Sequence, residues 1–117
     1  MKYNLVESKK EYLHLEITGK YSLEQGEKLF EKIHDECVER KIKKLLLDIT
    51  KKEGVIPTMD RFIFGKLIAN LFSTDIKFAL IAKKDQINKF SETVAVNRGA
   101  RFNIFSDKTE AIEWLLK

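Results

Sequence analysis

Few side chains in this sequence are suited to chemistry, and their spacing brings few of them together. The 117 residues include two histidines, His14 and His34, and one cysteine, Cys37. A closed zinc site takes four nitrogen or sulfur ligands, so no metal site is expected. His34 and Cys37 stand about one helical turn apart, a spacing at which an imidazole can activate a thiol. Cys37 also repeats with Gly26, Phe30 and Ile33 at helical spacing. That places it on the inward face of a helix, where a thiol acts as a small hydrophobe and a substrate has no access. No acid–base pair stands out, and neither common glycine-rich phosphate loop occurs. No catalytic residue and no cofactor are expected.

Three other features carry a candidate function. Asp48 and Thr50 end a strand, and ligands of α/β sheets bind outside the carboxyl ends of strands. Lys51, Lys52, Lys83 and Lys84 fall in loops on that same edge if the strands are parallel. Asp48, Thr50, Lys51 and Lys83 therefore form a candidate anion or ligand site; the plainer reading has Asp48 pairing with a lysine or capping the loop. Thr58 opens a helix, where its hydroxyl serves either as an N-cap or as a phosphoacceptor favoured by free backbone N–H groups. The third feature is the helix 59–72 itself. Ile63, Phe64, Leu67, Ile68, Leu71 and Phe72 cover well over half its circumference, and Phe62 and Ala69 extend the apolar surface. One sheet face needs a narrower stripe. The excess must be covered by a neighbouring helix, a partner chain or an apolar ligand. Phe62, Phe64, Ile68 and Phe72 are accordingly a candidate interaction surface.

The elements that position these residues follow from periodicity. Residues 3–8 and 12–18 read as strands joined by a short turn, hence an antiparallel hairpin. In the second, Leu13, Leu15 and Ile17 alternate with polar neighbours and Tyr12, the pattern of a strand with one buried face. Gly19 breaks that pattern, and Ser22 caps a helix running to about Arg40. Residues 42–49 and 76–82 lack alternation, as central strands covered on both faces do. A helix is expected from Asp85 to Arg98, with Gly99 as its stop. A last strand at 102–105 precedes a helix capped by Ser106 or Asp107. The order β-β-α-β-α-β-α-β-α implies a mixed five-stranded sheet with parallel strands after the hairpin.

Composition narrows the function further. Hydrophobic residues make up 44% and charged residues 34%, the balance of a globular chain. With no linker or repeat, 1–117 is read as one domain. The net charge of +4 is mild and both signs are interspersed, so no nucleic-acid partner is expected. No apolar run approaches membrane-spanning length, so no stable membrane insertion is expected. A lone cysteine forms no internal disulfide, and a cytoplasmic location is the default expectation.

GKYSLEQ at 19–25, KKLLLDIT at 43–50, RFIFGKLIANL at 61–71, FALIAKK at 78–84 and FSDKTEAIEWLL at 105–116 together resemble the small STAS-like family, relatives in fold of the sporulation anti-anti-sigma factor. The resemblance covers Gly19 to Leu116. It implies a βα superhelix with helices mainly on one face, and a bacterial-type domain for binding or signalling. It also implies a phosphoacceptor at Thr58, ten residues after Asp48, although the usual Asp-Ser pair is replaced by Pro57-Thr58. Two functions are expected from these readings. One is a non-enzymatic regulatory or protein-interaction domain, acting as a homodimer or with a protein partner. The alternative is a carrier or sensor of a small apolar or anionic ligand, held between helix 59–72 and the sheet with Lys51 or Lys83 at the mouth.

Overall fold

The computed structural model describes residues 1–73 and 75–117, with Phe90 described by its backbone alone. The strands are β1 (Lys2–Ser8), β2 (Leu13–Lys20), β3 (Lys44–Asp48), β4 (Lys52–Glu53), β5 (Lys77–Ile81) and β6 (Phe102–Phe105). The helices are α1 (Leu23–Glu39), α2 (Thr58–Leu71), α3 (Phe90–Asn97) and α4 (Lys108–Leu115). Five strands line up in the order β1-β2-β3-β5-β6, and the two-residue β4 pairs with the end of β2 off this path. β1 and β2 are antiparallel, and the pairs β2–β3, β3–β5 and β5–β6 are parallel.

The winding of the chain explains where the helices lie. α1, α2 and α3 each connect one parallel strand to its immediate neighbour, always stepping in the same direction. Crossovers of one hand must then place all three helices on one face. On that face Leu13, Leu15, Leu45, Leu47, Phe78 and Leu80 from the strands meet Phe30 and Ile33 of α1, Phe64 and Ile68 of α2, and Ala95 of α3. Only α4, which follows the edge strand, reaches the other face, where Ala111 and Leu115 cover Tyr12, Leu46, Ala79 and Ile81. Leu46, flanked by Leu45 and Leu47, is buried on the opposite side, which is why the apolar runs of the central strands show no alternation.

Several elements differ from expectation. Gly19 does not end β2: at φ +98° it lets the strand run on and pair with β4, with Gly19 opposite Lys52. The segment after β5 makes a single 3-10 turn at Lys84–Gln86 before α3 starts at Phe90. Ile87 is extended there and Lys89 has φ +60°, so the helix expected from Asp85 is interrupted. Thr58 is the first residue of α2 and not its cap. Pro57 holds the cap position, and no side chain caps that end. Ser22 and Asp107 do cap α1 and α4, accepting from the backbone N–H groups of Gln25 and Thr109 at 3.4 and 2.9 Å.

Two glycines allow α2 to be covered. A Cβ at Gly26 of α1 would lie 2.8 Å from the Phe64 ring, and one at Gly65 of α2 would lie 2.8 Å from both the Ser91 carbonyl and the Val94 side chain of α3. Helix propensity alone favours alanine over glycine by up to about 1 kcal/mol. At Gly65 the crowding against backbone opposes that gain. We expect Gly65→Ala to destabilise the fold by about 1–2 kcal/mol net, read as a lower urea midpoint with an unchanged slope; a raised midpoint would mean that α3 does not pack this closely on α2.

Candidate functional site

Three of the four residues expected to form an interaction surface lie in the core. Phe64, Ile68 and Phe72 are 5%, 2% and 1% exposed and belong to the main core. The reason is the α1 and α3 cover just described: neighbouring helices, the plainest of the three covers, take up the apolar excess of α2. Phe64 packs edge-on to Phe30 with ring centroids 5.3 Å apart, and Phe72 meets Phe78 at 4.9 Å. Phe62 is half-buried, with the Lys66 ammonium 5.4 Å from its ring centroid.

Besides the polar Lys66 and Asn70, α1 and α3 leave uncovered the first turn of α2 and the loop leading into it. Val55 and Met59, four residues apart, are 62% and 72% exposed, the most exposed of the large apolar side chains among the described residues. Phe62 and Ile63 stand three and four residues after Met59, one turn along the same helix face, and both are half-buried. Thr58 is exposed beside Met59.

The expected anion cluster does not form either. The Asp48 carboxylate accepts from the Thr50 N–H at 2.8 Å and from the Thr50 hydroxyl at 2.6 Å, which closes the turn that ends β3. The Lys51 ammonium lies 3.2 Å from a Glu16 carboxylate oxygen. Lys83 is exposed. The lysine that does turn inward is Lys52, 3% exposed. It donates to the Gly54 carbonyl, and its ammonium sits 6.0 Å from the centre of the Tyr21 ring. Burial pushes its pKa below the ordinary lysine value, helped by the nearby charges of Lys83 and Arg61.

Lys52 lines a cavity of about 50 Å³ beneath α2 whose walls include Ile17, Ile49, Ile56, Phe64 and Leu80, with Arg61 alongside. A second cavity of about 40 Å³ adjoins it, sharing Ile49, Ile56, Arg61, Leu80 and Ser91. Arg61 donates to the carbonyls of Ile56 and Gln86 at 2.9 and 2.7 Å, tying the loop before α2 to the turn after β5. The Tyr21 hydroxyl donates to Asp60 at 2.7 Å, and burial and that bond raise its pKa. Sequence reasoning grouped Lys52 with the surface lysines; the one signal that separates it is its register opposite Gly19.

The two histidines are on opposite sides of the sheet. His34 packs edge-on to Phe72 at 5.6 Å on the three-helix face. His14 pairs with Leu46 across β2–β3, on the side covered by α4. Cys37 is fully buried, and burial pushes its thiol up to about 12, far from a nucleophilic thiolate.

Two solved structures share this arrangement. An anti-sigma factor antagonist from Mycobacterium paratuberculosis matches with a TM-score of 0.66 at 11% identity, over 99% of this chain and 96% of its own. An uncharacterised protein of the DUF3478 family with a SpoIIAA-like fold, from Shewanella loihica, matches with a TM-score of 0.57 at 23% identity, over 97% and 94%. The fold is SpoIIAA-like. A scan against family models finds no match, and neither does a comparison with curated proteins. The SpoIIAA-like sheet has the expected mixed order, with α1 to α3 on one face as the STAS-like resemblance implies. Among the described residues no helix is long and apolar enough to cross a membrane.

Within this SpoIIAA-like core, His14 is the polar residue with the least support. It is 3% exposed, and neither ring nitrogen has a hydrogen-bond partner. Its pKa lies below the ordinary value, first because of burial and then because of Lys108, while Asp48, Glu7 and Glu16 act in the other direction. The folded chain therefore resists a proton that the unfolded chain accepts below about pH 6.5. Stability should be full above that pH and fall as the pH drops toward the lowered value, by at most about 1.4 kcal/mol per pH unit. Urea unfolding at pH 7.5 and 5.5 checks this. His14→Phe should shrink the difference between the two, and an undiminished difference would assign the acid sensitivity to other groups.

Proposed function

We propose that the chain is a single-domain, non-enzymatic regulator of STAS-like type, acting in the cytoplasm. It docks a protein partner, either a second copy of itself or another chain, on the face made by Val55, Met59, Phe62 and Ile63. The observation that carries this reading is the exposure of Val55, in the loop before α2, and Met59, in its first turn, at 62% and 72%. Water contact with large apolar side chains is unfavourable by about 25 cal/mol per Å², and a partner would relieve it. The SpoIIAA-like fold supports the regulatory reading, since one neighbour of this fold is an anti-sigma factor antagonist. Thr58 deepens it. A phosphate there would place up to about two negative charges beside Met59, at the positive end of α2, and would oppose docking of an apolar partner surface.

A photo-crosslinking residue in place of Met59, expressed in cells, tests the face directly. A single adduct is expected, of twice the chain mass for self-docking or of a discrete larger mass for another protein. The same crosslinker at Glu110, exposed on α4, should give none. Val55→Glu and Thr58→Glu should each reduce the adduct at least several-fold. No adduct at position 59, or equal adducts at 59 and 110, would overturn the docking face. An adduct indifferent to Thr58→Glu would remove the phosphate switch and leave the face standing.

A further inference from the structure

The cavity beneath α2 holds an electrostatic imbalance that the docking face does not explain. Lys52 is 3% exposed, yet no ion pair among the described residues includes it or Arg61. Both cations make their hydrogen bonds to backbone carbonyls alone, at Gly54, Ile56 and Gln86. An ammonium has three donors, and a buried charge without a counter-ion is costly. The rest of the wall is mostly apolar, with Ile17, Ile49, Ile56, Phe64, Ile68 and Leu80 beside Tyr21 and Ser91; the Tyr21 hydroxyl is already committed to Asp60. A site built from one buried ammonium, one guanidinium and an apolar lining fits a monoanion whose remainder is hydrocarbon.

We propose that this cavity is a binding site for a short-chain monocarboxylate, with Lys52 as the counter-ion. The carboxylate lies against the Lys52 ammonium and the edge of the Arg61 guanidinium. The alkyl chain follows the apolar wall into the adjoining space past Ile49 and Leu80. A cavity of about 50 Å³ with a neighbour of about 40 Å³ has room for only a few waters each, which selects a short chain over a long one. The chemistry places the ligand's charge at Lys52, not at Lys51 or Lys83, because Lys51 is already paired with Glu16. Ligand binding by the native state alone raises thermal stability, so the site is open to a simple assay.

Thermal melting with butanoate and hexanoate, set against butanol, hexanol, butylamine and hexylamine, reads the charge requirement. The carboxylates should raise Tm by on the order of 5 °C at tenfold excess over Kd, and the amines and alcohols should not. Amide shifts in ¹H–¹⁵N spectra should cluster at Ile49, Ile56 and Phe64. Lys52→Met should abolish the preference for carboxylate over alcohol while leaving the spectrum of the free protein dispersed. Should Lys52→Met fail to fold, the ¹³Cε titration of Lys52 in the unsubstituted protein decides: its pKa should rise when hexanoate is added. Equal responses to hexanoate and hexanol, shifts located away from α2, a folded Lys52→Met that still prefers the carboxylate, or an unmoved Lys52 titration would each overturn the site. A positive result at this cavity with no adduct at position 59 would leave the ligand site standing and the docking face refuted.

Discussion

The structure turns on the need to cover α2. A helix that is apolar around most of its circumference cannot rest on a sheet alone, because half of that surface would face water. α1 and α3 close over it from two sides, and both approaches depend on the absence of a side chain: Gly26 where Phe64 crosses α1, and Gly65 where α2 meets Ser91 and Val94. With the helix so enclosed, Phe30, Phe64, Phe72, Phe78 and Phe102 pack ring against ring, mostly edge to face, into one aromatic layer between helices and sheet. The connectivity that steps always in one direction puts those three helices on one side and leaves the other side to α4.

The same enclosure produces both the exposed patch and the cavity. Its cover stops short of the helix start, so Val55 and Met59 remain in water. Beneath that start, Ile49, Lys52 and Ile56 border a cavity with Ile17 of β2 and Leu80 of β5, and Arg61 fastens the segment before α2 to the turn after β5. The surface and the cavity are thus two sides of one segment.

Much of the fold was legible in the sequence, because it rests on period and order. Alternation in β2, its absence in β3 and β5, and caps at Ser22 and at Ser106 or Asp107 located the elements. The strict succession of strands and helices after the hairpin set the sheet order. The site was less legible. The breadth of α2's apolar surface was readable, but whether a helix, a partner or a ligand covered it depended on Gly65 facing α3, a tertiary fact. Phe64, Ile68 and Phe72 therefore read as surface and proved to be core. Lys52 differs from Lys51 only in direction, which the pairing of β4 with Gly19 decides and which no local pattern announces. Thr58 read as a cap, but Pro57 before it already holds the extended conformation that the cap position requires.

The most direct test of this account is hydroxyl-radical footprinting of the folded chain, diluted until light scattering shows a monomer, with mass spectrometry of each peptide. If α2 is enclosed by its own domain, Met59 and Val55 will be oxidised rapidly while Phe64 and Phe72 are protected to the level of Phe78 in the sheet. Labelling of Phe64 and Phe72 in the folded monomer at rates near that of Phe62 would contradict it, and would return the middle of α2 to the surface as a face awaiting a partner.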